Sequence, residues 1–120
     1  MRILLVDDED VILKLEARWL TEAGHAVDMA RNNKEALALY DGGLYDVVLT
    51  DAEHLEEHGP DGGEGLKLVI AVLARNPEQK VGFITGQEIP TYPRLPKPFT
   101  PNELIQFVDQ LSGSERDRGN

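Results

Sequence analysis

Four short stretches of this chain carry side chains able to do chemistry: Asp7-Asp8, Asp51, Thr85-Gly86 and Lys97. The first three stand where an apolar run stops. Three carboxylates brought together repel one another, and each raises the others' pKa unless a cation shares them. An all-oxygen set of this kind suits Mg²⁺ (or Mn²⁺), which keeps waters and often bridges carboxylate to phosphate. Lys97 would add a positive charge, and the Thr85 hydroxyl and Gly86 amide would add hydrogen bonds. Such groups stabilise the equatorial oxygens of a phosphoryl group during in-line transfer. Asp51 would then be a nucleophile forming an aspartyl phosphate.

These residues converge only if the elements carrying them are neighbours. Ile3–Val6 reads as a strand ending on Asp7-Asp8, Tyr45–Thr50 as one ending on Asp51, and Lys80–Ile84 as one ending on Thr85. Their β-branched and aromatic content over a few residues favours strand over helix. Between them lie helical stretches. The first has Val11, Leu15, Trp19 and Ala23 at four-residue steps, with Ile12 and Leu20 beside them, and is closed by Gly24. A strand at His25–Ala30 follows, then a helix opened by the capping-box-like Asn32-Asn33-Lys34-Glu35 and ended by Gly42-Gly43. A third helix carries Leu66, Val69, Ile70 and Leu73, and Asn76-Pro77 stops it. A short fifth strand is expected near Arg94-Leu95. The last helix starts at the box Thr100-Pro101-Asn102-Glu103 and presents Leu104, Ile105, Val108 and Leu111. Strands alternating with helices predict a doubly wound, five-stranded parallel α/β sheet with right-handed crossovers. In such a sheet ligands bind beyond the carboxyl ends of the strands, where the acids would stand.

Bulk properties narrow the function. At 120 residues the chain is expected to be one domain, residues 1–112, with a polar tail over 113–120. A formal charge of −10 argues against nucleic-acid binding, which needs a basic patch. Without cysteine there is neither a disulfide framework nor a thiolate zinc site. No apolar run is long enough for a membrane span, and the start lacks a signal-peptide pattern, so a cytoplasmic location is expected.

The four stretches in this order resemble the receiver domain of bacterial two-component response regulators, from Ile3 to about Leu111. The resemblance rests on Leu5-Val6-Asp7-Asp8, Asp51 ending the third strand, Thr85-Gly86, and Lys97-Pro98-Phe99. It implies the flavodoxin-like receiver fold, with Asp51 as phosphoacceptor and Asp8 as a direct Mg²⁺ ligand. It further implies that Asp7 acts through water, that the Glu53 backbone carbonyl is the third protein ligand, and that Thr85, Gly86 and Lys97 contact the phosphoryl group. The Lys97–Pro98 bond is implied to be cis. The implied partners are a sensor histidine kinase or phosphotransfer protein and an output protein the sequence does not name. A stand-alone, self-phosphorylating phosphoacceptor is expected, rather than a turnover enzyme.

The chain departs from the family pattern twice. After Asp51 the family has a tight turn with Met-Pro and a Gly about eight positions on, whereas here Ala52–Gly65 is an enlarged, acidic, glycine-rich lip that puts Gly65 fourteen positions on. Thr85 and Lys97 are twelve positions apart, too few for the family's fourth helix, which is expected to be missing or reduced. Arg94 stands where the family carries its switch aromatic, with Tyr92 near but out of register. Phe83-Ile84-Thr85-Gly86 with Leu95-Pro96-Lys97-Pro98-Phe99 is similar to single-domain receivers with Phe-Ala-Thr-Gly at this point and a shortened fourth helix. These departures support an alternative, a receiver-like interaction module that works without phosphorylation. His54-Leu55-Glu56-Glu57-His58 also fits the H-x-x-E-H pattern of zinc peptidases. Gly59-Pro60 follows at once, which leaves too little helix, and a peptidase needs a larger chain. Each site residue also has a plain structural reading: the acids as helix caps or turn formers, Thr85 as a strand end, Lys97 as a solvated charge.

Overall fold

In the computed structural model, which describes residues 1–51, 63–85 and 92–113, helices and strands alternate along the chain. The elements are β1 (Arg2–Val6), α1 (Asp10–Glu22), β2 (Ala26–Ala30), α2 (Asn33–Asp41), β3 (Val47–Asp51), α3 (Gly63–Arg75), β4 (Lys80–Ile84), β5 (Arg94–Leu95) and α4 (Pro101–Ser112). The strands form one sheet in the order β2-β1-β3-β4-β5, every pair parallel. Chain order reverses between β1 and β3, which places a crevice at their carboxyl ends.

Successive residues of a strand point to opposite faces, so the sheet builds two cores. Leu4, Val6, Val48, Val81 and Phe83 pack with Ala36 and Tyr40 of α2 and with Leu68, Val69 and Val72 of α3. Ile3, Leu5, Val47, Leu49 and Ile84 pack with Leu13, Ala17 and Leu20 of α1 and with Leu104, Phe107 and Val108 of α4. Burial on both faces explains why the strands read as unbroken apolar runs rather than alternating ones. Gly82 lets α4 approach the second face, because a Cβ there would stand 2.7 Å from Leu111 Cδ1 and 2.9 Å from the Phe107 ring.

Two helical faces differ from those the sequence predicts. Leu20 is buried as predicted, but Val11 is 77% exposed and Leu15 39%, while Leu13, Glu16 and Ala17 turn inward. Steps of four residues overshoot a 3.6-residue turn, so the predicted series drifts off the core. In α3, Val69 is buried as predicted and Leu66 and Leu73 are partly buried, but Ile70 is 57% exposed and Leu68 and Val72 complete the stripe. The α2 cap also differs: the Asn32 side chain accepts from the Glu35 amide at 2.8 Å, but the Glu35 carboxylate accepts from the amide of Arg31 rather than Asn32. The α4 box is complete, with Thr100 Oγ1 accepting from the Glu103 amide and the Glu103 carboxylate from the Thr100 amide.

Nine residues separate β4 from β5, and among the described residues no helix lies between them. A parallel crossover usually takes a dozen residues or more to accommodate a helix. On that side Tyr92 packs against Phe83, ring centroids 5.6 Å apart. The short spacing agrees with the missing or reduced fourth helix expected from the sequence, and there are four helices among the described residues. None of them is long and apolar enough to cross a membrane.

Candidate functional site

Parallel register carries the acids to one rim. Val6 pairs with Thr50, so Asp7 and Asp51 leave adjacent strands at the same level. Asp51 is level with Ile84 of β4, so Thr85 follows one residue beyond on the next strand. Asp7 and Asp51 share the strand parity of Ile3, Leu5, Val47 and Leu49, the face that α1 and α4 cover. Strong hydrogen-bonded pairing on both sides of β1 and β3 fixes these positions more firmly than any loop could.

One carboxylate oxygen from each of Asp7, Asp8 and Asp51 lies within 4.8 Å of the others. Asp7 and Asp51 are almost fully buried, while Asp8 is exposed. Lys97 Nζ stands 3.5 Å from Asp51 Oδ2, with the lysine side chain largely buried. The Asp7 carboxylate accepts from the Glu9 amide at 2.9 Å through Oδ1, while Oδ2 is buried without a hydrogen-bond partner among the described residues. Burial pushes the Asp7 carboxyl up to about 7, against the Glu9 amide and Lys97, which favour its charged form, and with the Asp51 charge adding to the rise. A buried acid with one oxygen unpaired, facing two more carboxylates, is the donor set a hard divalent cation satisfies. The residues present therefore fit Mg²⁺ or Mn²⁺.

The remaining side chains frame this cluster. Thr85 is fully buried, its amide donates to the Leu95 carbonyl at 3.1 Å, and Arg94 Nη1 donates to the Thr85 carbonyl at 3.3 Å. Arg94, at the position where the sequence lacks an aromatic, is thus tied to the end of β4. The Lys97–Pro98 peptide is cis. Glu53, Gly86 and the His54–His58 segment lie outside the described residues.

Sequence reading missed Glu16. This α1 residue is 2% exposed, and its Oε1 has no hydrogen-bond partner among the described residues. Burial, with the charges of Asp7, Asp51 and Glu9 added, pushes its carboxyl up to about 8, and Lys97 opposes the rise. A signal was present: Leu13, Glu16, Ala17 and Leu20 follow the i, i+3, i+4, i+7 pattern of a buried face.

The family described as the response regulator receiver domain matches residues 3–109. The transcriptional regulatory protein ResD of Bacillus subtilis is 32% identical over 117 residues, covering 92% of this chain and 47% of ResD. The chain spans about half the length, or less, of the curated relatives it matches. Among solved structures, the receiver domain of the hybrid histidine kinase CckA is similar, with 30% identity, a TM-score of 0.76, and coverage of 93% of this chain and 99% of that one. TrrA of Thermotoga maritima, solved in complex with Mg²⁺ and BeF, matches with 29% identity and a TM-score of 0.76, over 92% and 97% of the two chains.

Proposed function

This chain belongs to the response regulator receiver domain family, and from that membership we propose that it accepts a phosphoryl group on Asp51 from a sensor histidine kinase or a phosphotransfer protein. The observation that carries the proposal is the convergence of Asp7, Asp8 and Asp51 with Lys97 beside the acceptor. An Asp51 oxygen attacks phosphorus, the donor's N–P bond breaks, and the imidazole nitrogen leaves with the bonding pair. Lys97 neutralises charge at the acceptor, and Thr85 and the Gly86 amide hold the phosphoryl oxygens. Burial of Asp51 excludes bulk water from the nucleophile and strengthens these electrostatic contacts.

Asp7, Asp8, Asp51 and the Glu53 carbonyl are the groups proposed to hold Mg²⁺ or Mn²⁺, Asp8 directly and Asp7 through water. Such an ion would supply charge neutralisation, letting an anionic phosphoryl group approach three acids. The Mg²⁺–BeF complex of TrrA supports this for a related domain. Residues 1–112 are proposed to act as the receiver, with 113–120 a polar tail, in the cytoplasm. The phosphorylated domain signals by protein contact. The curated relatives are named transcriptional regulatory proteins.

The test is intact mass after incubation with a small acyl phosphate and Mg²⁺, for wild type and Asp51→Asn. A Mg²⁺-dependent phosphoryl adduct on wild type alone is expected. No adduct from small donors or from cognate kinases, with the fold intact, moves the assignment to the second reading, a phosphorylation-independent interaction module. The observation favouring that reading is Arg94 at the switch position, beside a β4–β5 connection of only nine residues.

A further inference from the structure

Beside the proposed phosphoryl site, α1 and the segment leading into α4 form an open groove of about 510 Å³. Ile12, Trp19 and Phe99 give it apolar walls, and Glu16 and Lys97 both line it. Trp19 and Phe99 meet edge to face, centroids 6.4 Å apart, which holds this wall in place. Glu16 does not belong to the three-acid cluster. It is nonetheless nine-tenths buried, with one oxygen lacking a hydrogen-bond partner among the described residues. Burying such an oxygen unpaired destabilises the fold, and a leucine among Leu13, Ala17 and Leu20 would not.

Lys97 lines the same groove as this acid, and its charge acts on it. Its ammonium is 3.5 Å from Asp51, longer than the 2.7–2.9 Å of a tight charged hydrogen bond. A lysine stem has several rotatable bonds, so its head can be redirected without moving the backbone. We propose that Glu16 is a second seat for the Lys97 ammonium, taken up when Asp51 no longer draws it. As Lys97 arrives, Glu16 gives its proton to solvent, and the buried pair replaces a buried neutral acid. The charged groups acting on Glu16 are Asp7 at the end of β1, Asp51 at the end of β3, Glu9 at the start of α1, and Lys97.

The role of this seat rests on the reading of Lys97 as a phosphoryl-binding group. A cation shared by the acids would weaken the hold of Asp51 on Lys97, and Glu16 would then keep the ammonium inside the domain until a phosphoryl group arrives. Glu16 is a positioning residue in this scheme.

The test needs neither metal nor phosphorylation, so its failure is separable from failure of the phosphoacceptor reading. The Glu16 carboxyl carbon is titrated by NMR in chelator-treated wild type, Lys97→Met, Asp51→Asn and the double variant. Removing Lys97 is expected to raise the Glu16 midpoint at least one pH unit more in the Asp51→Asn background than in wild type, a tenfold difference in acid constant. An equal effect in both backgrounds means that Lys97 does not move, and overturns the proposal. If Lys97→Met does not fold, Asp51→Asn alone decides. New cross-relaxation between the Lys97 ε-methylene and the Glu16 side chain supports the second seat, and unchanged contacts overturn it.

Discussion

Lys97 and Glu16 show how far one charge alters its neighbours. Lys97 is paired with Asp51, the proposed acceptor, so in that reading its loss removes electrostatic stabilisation aimed at the developing charge. By comparison with the loss of one oxyanion donor, Lys97→Met is expected to slow phosphorylation from a small donor by about 100-fold or more. The rate of appearance of the mass adduct checks this, and an unchanged rate would exclude Lys97 from the chemistry. For Glu16 the sign of the pH dependence is fixed by its raised pKa. Between its ordinary 4.5 and about 8, the folded protein binds a proton that the unfolded chain has lost, so its contribution to stability falls as pH rises. Glu16→Gln is expected to match wild type near pH 4.5 and to exceed it at pH 8, by an amount on the order of a few kcal/mol. Urea unfolding at the two pH values measures this. A variant that kept the wild-type pH slope would show that Glu16 is not buried as the neutral acid.

At the scale of elements, the packing of α4 on the sheet depends on a position without a side chain. A Cβ at Gly82 would run into Phe107 and Leu111, the wall that α4 presents to β4. Gly82→Val is expected to destabilise the domain by about 1–3 kcal/mol, the usual consequence of overpacking, with Leu111 moving first. Thermal or urea unfolding tests this, and wild-type stability would mean that α4 docks more loosely than its contacts indicate. The same helix follows Lys97, so a displaced α4 also moves the phosphoryl site. That coupling gives Gly82 an influence on phosphorylation although it touches none of the reacting groups.

At the scale of the whole molecule, an acidic chain concentrates three carboxylates at one rim, and a cation bound there would stabilise the folded state. Ligand binding to the native state alone adds about 2.7 kcal/mol at one hundred times Kd. For a domain of this size, a shift in Tm of roughly 10 °C follows. Mg²⁺ is expected to raise Tm by such an amount, chelator to reverse it, and Asp51→Asn to reduce it. No shift with saturating Mg²⁺ would contradict the assigned ligand set. Burial pushes the Asp7 carboxyl up to about 7, so a cation bound there would displace its proton, and the affinity is expected to increase between pH 6 and 8.

The alternation of strand and helix, the acids at the strand ends and the shortened β4–β5 connection are all legible in the linear sequence. They are local properties: periodicity, stop signals and spacing need no knowledge of what lies across the sheet. Residue identity also carried the resemblance to receivers, since Asp7-Asp8, Asp51, Thr85 and Lys97 keep their order on the elements expected of them. Which side chains turn inward was decided by tertiary structure. The phase of α1 against the sheet exposed Val11 and Leu15 and buried Glu16, because a helix can rotate by a fraction of a turn to present its best-packing stripe. Likewise, only the adjacency of β1 and β3 brought Asp7 to Asp51, and only the close approach of α4 gave Gly82 its purpose. Such contacts join residues far apart in the chain, and their energies depend on burial and neighbouring charge, which no local pattern records.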